Sequence, residues 1–210
     1  MRALIMAGGA GRRLARGEKP LVLINGQPMI RPVADAFSGA GCEPVIVVSQ
    51  KTPMTANWCR AHGLAIVTTR GAGYVEDMIE AVRYLEESGP VIVCVSDIPG
   101  ITTGIVARVL DAYHHCGKDA LSTWIPAVLV KSCRGGMPYR ETINGVEACP
   151  AGLNILRGAL IGSEQDESPL LLNDPRLAMN VNTPGDLTRT EEFLRSGRGQ
   201  DLPSSGFDQH

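Results

Sequence analysis

Aromatic side chains are scarce, at 4% of the 210 residues. A protein that stacks nucleic-acid bases needs exposed rings, so this scarcity argues against one. Neither sign of charge dominates: 20 Lys and Arg stand against 22 Asp and Glu, a formal net charge of −2. No overall positive field is then available to hold DNA, RNA or an anionic membrane. No apolar run reaches the roughly 20 residues of a membrane span. The opening Met1–Gly9 is too briefly apolar for a secretory signal, so a cytoplasmic protein is expected. The six cysteines lack Cys-x-x-Cys spacing, and the four histidines complete no zinc pattern. We read the cysteines as reduced, small hydrophobes.

What is present is an ordinary hydrophobic content of 44% in a chain long enough for one large domain. Such a chain buries roughly 70% of its unfolded surface without a disulfide or metal staple. Short apolar runs at Ala3–Ala7, Val45–Val48, Leu64–Val67 and Val91–Val95 read as buried strands. Helices fit between them. Pro28 suits the first turn of one that ends near Gly39. A second runs from about Pro53 to His62. A third spans Val75–Glu87, with Val75, Met78, Ile79, Val82 and Leu85 on one face. A fourth is capped by Thr102 or Thr103. This alternation predicts a Rossmann-like α/β domain with a mostly parallel central sheet and helices on both faces. Ligands of such sheets bind at the carboxyl ends of the strands.

The later half is less regular. Asn144-Gly145 predicts a hairpin between Tyr139–Ile143 and Val146–Cys149. Further strands are expected at Ala127–Lys131, Leu153–Leu156 and Met179–Asn182. Thr183-Pro184 then opens a last helix with an inward Leu187, Thr190 and Leu194. The domain is read as residues 1–195, followed by a disordered tail over 196–210, which is rich in Gly, Ser, Asp and Gln.

The most informative stretch is Ala7-Gly8-Gly9-Ala10-Gly11-Arg12-Arg13, continuing to Glu18-Lys19-Pro20-Leu21. Three glycines just past a strand let the chain turn sharply and aim several N–H groups at one point, which suits phosphate. Arg13 and Lys19 add positive charge, the first as a bidentate donor and the second as a point charge. The stretch is not a P-loop, because Lys19 is followed by Pro20. Nor is it a dinucleotide fingerprint, because Gly11 is followed by Arg12, Arg13 and Leu14. Asp97, in Ser96-Asp97-Ile98-Pro99, follows the Val91–Val95 strand. A carboxylate there suits Mg²⁺, which takes one or two carboxylates besides phosphate oxygens. The plainer reading is a turn residue before Pro99.

These residues resemble a known family. Leu4-x-x-Ala7-Gly8-Gly9-x-Gly11-x-Arg13 with Glu18-Lys19-Pro20-Leu21 is similar to the signature of nucleotidyltransferases with a glycosyltransferase-A-like fold. Ser96-Asp97-x-Pro99 resembles their metal-binding segment, and Asn180–Leu187 their closing segment. Arg12 departs from the pattern, which often has Thr there. Gly71–Met78 and Asn144–Ile155 resemble segments of the archaeal adenosylcobinamide-phosphate guanylyltransferases.

The resemblance implies transfer of GMP from GTP to adenosylcobinamide phosphate, with release of pyrophosphate and Mg²⁺ as cofactor. It assigns Gly8, Gly9, Gly11, Arg13 and Lys19 to the triphosphate, with Arg13, Lys19 and Asp97 catalytic. Asp97 is the main metal ligand and Asn182 a second candidate. Gly71 and Gly73 lie close to the nucleotide. Glu76 or Asp77 reads guanine, or else serves as an ordinary first-turn acid. Asn154 touches the acceptor or the ribose, or is a polar residue at a strand end. Tyr74 stacks on a ligand or covers the core. Molybdopterin or a sugar phosphate is the alternative acceptor, a non-enzymatic nucleotide sensor is the third reading, and a homodimer is left open.

Overall fold

The computed structural model describes residues 1–9, 11, 14, 17–130 and 139–196. The expectations for Arg13 and for the tail beyond residue 196 lie outside the described residues.

The four apolar runs form strands β1 (Arg2–Met6), and, after the small ribbon β2 (Leu23–Ile24) and β3 (Gln27–Pro28), strands β4 (Glu43–Ser49), β5 (Ala65–Thr69) and β6 (Pro90–Val95). Parallel pairing joins β1 to β4 and β6, and β4 to β5. Helices α1 (Ile30–Gly39), α2 (Pro53–Ala61), α3 (Tyr74–Tyr84) and α4 (Thr103–Cys116) connect or follow them. Side chains alternate across the sheet, as the strand period requires. Ala3, Ile5, Ile46 and Ile92 join the core under α1 and α4, while Leu4, Val45, Val47 and Val93 join the core under α3. The sheet is therefore covered on both faces.

The second half departs further from expectation. β7 (Ala120–Pro126), β8 (Glu141–Ile143), β9 (Val146–Arg157) and β10 (Glu167–Leu171) extend the sheet to the order β10-β7-β9-β6-β1-β4-β5, with β8 paired to β9. β9 runs antiparallel to β6, β7 and β8, so the sheet is mixed though mostly parallel. The Asn144-Gly145 turn is present with φ of 50° and 77°, the values a tight hairpin needs. The two strands expected at Val146–Cys149 and Leu153–Leu156 are one 12-residue strand, continuous through Gly152 at φ 76°. Ala127–Leu129 is a 3-10 turn and not a strand. The strand lies just before it, where Ser122 and Thr123 mask a buried segment.

Met179–Asn182 forms no strand, and its Val181 N–H instead donates to the Asp97 carbonyl at 3.0 Å. Pro28 sits in β3, and the first helix begins two residues later. Val75 does not join its helix's inward face: it is 53% exposed, while Asp77 is buried. The last helix, α5 (Pro184–Arg195), has the expected cap, a reciprocal box of Thr183 and Asp186. Among the described residues no helix is long and apolar enough to cross a membrane.

Candidate active site

A cleft of about 560 Å³ opens at the carboxyl ends of β1, β4, β5 and β6. Gly8, Gly9, Gly11, Lys19, Gly71, Gly73, Asp77, Asp97 and Asn182 all line it. Residues separated by up to 174 positions are thus brought together, as the topology of a parallel sheet requires.

Each glycine of the first loop has its own reason. Gly8 lies against Ser49, whose hydroxyl donates to the Gly8 carbonyl at 2.7 Å. A Cβ at Gly9 would meet nothing within 4 Å. Gly11 adopts φ 56°, and a Cβ there would fall 2.6 Å from the Cβ of Lys19. The loop is therefore pressed against the lysine.

Lys19 begins a 3-10 turn with Pro20 buried behind it. Its neighbour Glu18 has a structural duty that the sequence did not reveal. The Glu18 carboxylate accepts from Met54 N at 2.8 Å and Thr55 N at 2.6 Å, in the first turn of α2. A carboxylate there meets unpaired amides and the positive end of the helix dipole.

Lys19 Nζ touches Asp97 Oδ2 and also donates to Asn182 Oδ1 at 2.8 Å. Asn180 Nδ2 donates to Asp97 Oδ1 at 3.1 Å, and Asn182 Nδ2 donates to Asn180 Oδ1. The Lys19 and Asp97 side chains are each 15% exposed. Asn180, from the closing segment, is a further member of this cluster. The donor set of one carboxylate and two amide oxygens is hard and fits Mg²⁺ completed by phosphate oxygens and water. No group of three or more His, Cys, Asp or Glu that could hold a metal occurs among the described residues.

On the opposite wall, Asp77 Oδ1 accepts from Gly71 N at 2.9 Å and Ala72 N at 3.1 Å. It braces the loop whose Gly71 has φ 72°. Glu76 is exposed and does not line the cleft; its carboxylate folds back over Gly73, where it would collide with an added Cβ. Tyr74 lines the cleft. Although 45% of Tyr74 is exposed, partial desolvation of its phenol, then Cys94 and Asp97, push its pKa above the usual tyrosine value, so the hydroxyl stays neutral. Lys51 also lines the cleft and donates to the Gly71 carbonyl at 2.5 Å. Its only sequence signal was its place just after the β4 strand. Asn154 is not brought to the cleft. It sits mid-strand opposite Val93, and its Oδ1 accepts from Thr123 N at 3.2 Å beside the β7 bulge.

A glycine loop, a lysine and a carboxylate at the strand ends of a mixed α/β sheet define a nucleotidyltransferase. The chain belongs to the MobA-like NTP transferase family, whose domain matches residues 3–140. It is 30% identical over 202 residues to the adenosylcobinamide-phosphate guanylyltransferase of Methanocaldococcus jannaschii, covering 93% of this chain and 98% of that one. It is 26% identical over 198 residues to a probable molybdenum cofactor guanylyltransferase of Mycobacterium ulcerans, covering 88% and 90% of the two chains. Its fold is similar to that of molybdopterin-guanine dinucleotide biosynthesis protein A from Archaeoglobus fulgidus, with a TM-score of 0.66 at 17% identity over 93% of this chain and all of that one.

Proposed function

We propose that the chain transfers GMP from GTP to adenosylcobinamide phosphate, releasing pyrophosphate. The reading is carried by the Lys19–Asp97–Asn182 cluster facing the glycine loop, in a chain alignable along nearly its whole length with an enzyme of that name.

An oxygen of the acceptor phosphate attacks the α-phosphorus of GTP. One P–O bond forms, and the bond to the β-phosphate oxygen breaks as pyrophosphate leaves. A phosphate is already nucleophilic at neutral pH, so alignment and charge neutralisation carry the catalysis. The amides of Gly8, Gly9 and Gly11 hold the triphosphate, and Arg13 and Lys19 bind its charge. Asp97, with Asn182, would hold Mg²⁺, which supplies charge neutralisation at the phosphates when bound. The Asp77 carboxylate, which lines the cleft, accepts from guanine N1–H and N2–H₂, a pair of donors that adenine lacks. ATP would set an acceptor against it, at a cost of roughly 1–3 kcal/mol.

A second reading keeps the chemistry and changes the acceptor to molybdopterin, which the 26% identity to a probable molybdenum cofactor guanylyltransferase favours. The deciding experiment incubates the protein with Mg²⁺, each NTP and each acceptor, and follows products by mass spectrometry. Adenosyl-GDP-cobinamide formed from GTP is the expected product. Efficient nucleotidylation of molybdopterin or a sugar phosphate, with none of the corrinoid, would leave only the general chemistry standing.

A further inference from the structure

We propose that Lys19 and the divalent cation compete for one set of oxygens, so that the cation enters together with the nucleotide and not ahead of it. This deepens the function proposed above and rests on its assignment of Asp97 as cation ligand.

Three observations carry the inference. The Lys19 ammonium lies on Asp97 Oδ2 and on Asn182 Oδ1, the two oxygens best suited to a hard cation. An ammonium and a dication repel strongly at contact distance, and these side chains are only 15% exposed, so water screens the repulsion poorly. One must leave when the other arrives. Second, the lysine stem also abuts the phosphate loop, where Gly11 leaves no room for a Cβ beside Lys19 Cβ. The same flexible side chain therefore serves two anionic stations, the carboxylate and the triphosphate. Third, the backbone that carries it is held. Pro20 is buried on one side, and on the other Glu18 is hydrogen-bonded to the Met54 and Thr55 amides. Exchange between stations then needs only rotation of the lysine side chain.

Charge stays paired throughout. Before binding, the ammonium neutralises Asp97. Afterwards it neutralises a phosphate oxygen, and the carboxylate it releases takes the cation. Because nucleotide removes the competitor, nucleotide and cation each raise the other's affinity, by the same factor.

The test uses the full chain, Mn²⁺ as an electron-spin probe and a GTP analogue with a methylene α–β bridge that blocks transfer. The wild-type protein is expected to bind Mn²⁺ weakly alone and about tenfold more tightly, or better, with the analogue, within the ~5–150-fold range of linked sites. Lys19→Met should bind Mn²⁺ alone about tenfold more tightly than wild type, so that its nucleotide-dependent gain shrinks to the part the phosphate ligands themselves supply. Lys19→Arg keeps the competing side-chain charge and should bind Mn²⁺ alone as weakly as wild type. Lys19→Gln repeats the measurement should Lys19→Met melt early. Loss of Mn²⁺ binding in Asp97→Asn, with the analogue present, supports the cation assignment itself. If Asp97→Asn binds Mn²⁺ normally, that assignment fails and the competition with it. If Asp97→Asn loses Mn²⁺ while Lys19→Met and Lys19→Gln bind it alone no better than wild type, only the competition is overturned.

Discussion

Asp97 and the loop glycines carry opposite kinds of chemistry, and substitutions should separate them. Asp97→Asn keeps the shape but removes the charge that would hold Mg²⁺. Turnover is expected to fall by at least about a hundredfold, with GTP affinity changed less. Pyrophosphate release measured across Mg²⁺ concentrations checks this, and near-normal turnover at low Mg²⁺ would remove Asp97 from the role. Gly9 and Gly11 should fail differently. Gly9→Ser places a hydroxymethyl group in open space within the cleft, so the protein should melt normally and bind GTP poorly. Gly11→Ala is strained at φ 56° and collides with Lys19, so it should lose stability as well, by about 1–2 kcal/mol from the backbone alone. Calorimetric titration beside thermal melting distinguishes the two, and unchanged GTP affinity in both would place the triphosphate elsewhere. At this scale the glycines, Lys19 and Asp97 were legible because glycine and charge at strand ends have few other uses. Glu76 and Asp77 were not separable, since adjacent first-turn acids differ only by the roughly 100° that turns one toward the cleft and the other to solvent.

Among the elements, α2 and the loop after β6 hold the site in register. Glu18→Ala removes two charge-assisted hydrogen bonds to the start of α2 and should cost about 1–2 kcal/mol. Because Lys19 is the next residue, KM for GTP should rise more than kcat falls, with Glu18→Gln intermediate. Steady-state kinetics with equal KM in all three proteins would show that the anchor serves only the helix. Gly100 follows the Asp97 turn, and a Cβ there would lie 2.9 Å from the Arg176 carbonyl oxygen. Gly100→Ala must push the Asp97 turn away from the segment that carries Asn180 and Asn182. A loss of about 1–3 kcal/mol is expected in chemical denaturation, and a wild-type midpoint would exclude the crowding. The parallel strands and their helices were legible from apolar runs and period. β7 was not, because Ser122 and Thr123 are buried by hydrogen bonds that no local pattern records: Thr123 Oγ1 donates to the Leu153 carbonyl, and Ser122 Oγ accepts from Trp124 Nε1 at 2.8 Å.

For the whole molecule, acid stability should depend on one buried ion pair. Burial pushes the Asp174 carboxyl up, but hydrogen bonds from Arg176 outweigh it and hold it below the usual carboxylate range. Arg176 Nη2 donates to Asp174 Oδ2 at 2.7 Å, and both side chains are under a tenth exposed. A depressed folded pKa contributes stability above the unfolded value of 3.8 and loses it as pH falls through the lower folded value. Asp174→Asn should therefore destabilise the protein near pH 7 by about 3–5 kcal/mol and flatten the loss of stability below about pH 4. Melting curves from pH 7 to pH 3 for both proteins check the sign; parallel curves would show that the pair does not govern acid unfolding.

The sequence by itself determined the glycine loop after the first strand, the carboxylate after the β6 strand and the alternation of strand and helix, because each rests on local rules of backbone freedom, charge and side-chain period. Only the tertiary structure decided which of Glu76 and Asp77 faces the cleft, that Asn154 lies away from it, and that Lys19, Asp97, Asn180 and Asn182 form one cluster. Those relations join residues up to 163 positions apart, and they depend on pairing register and packing, which no window of sequence contains.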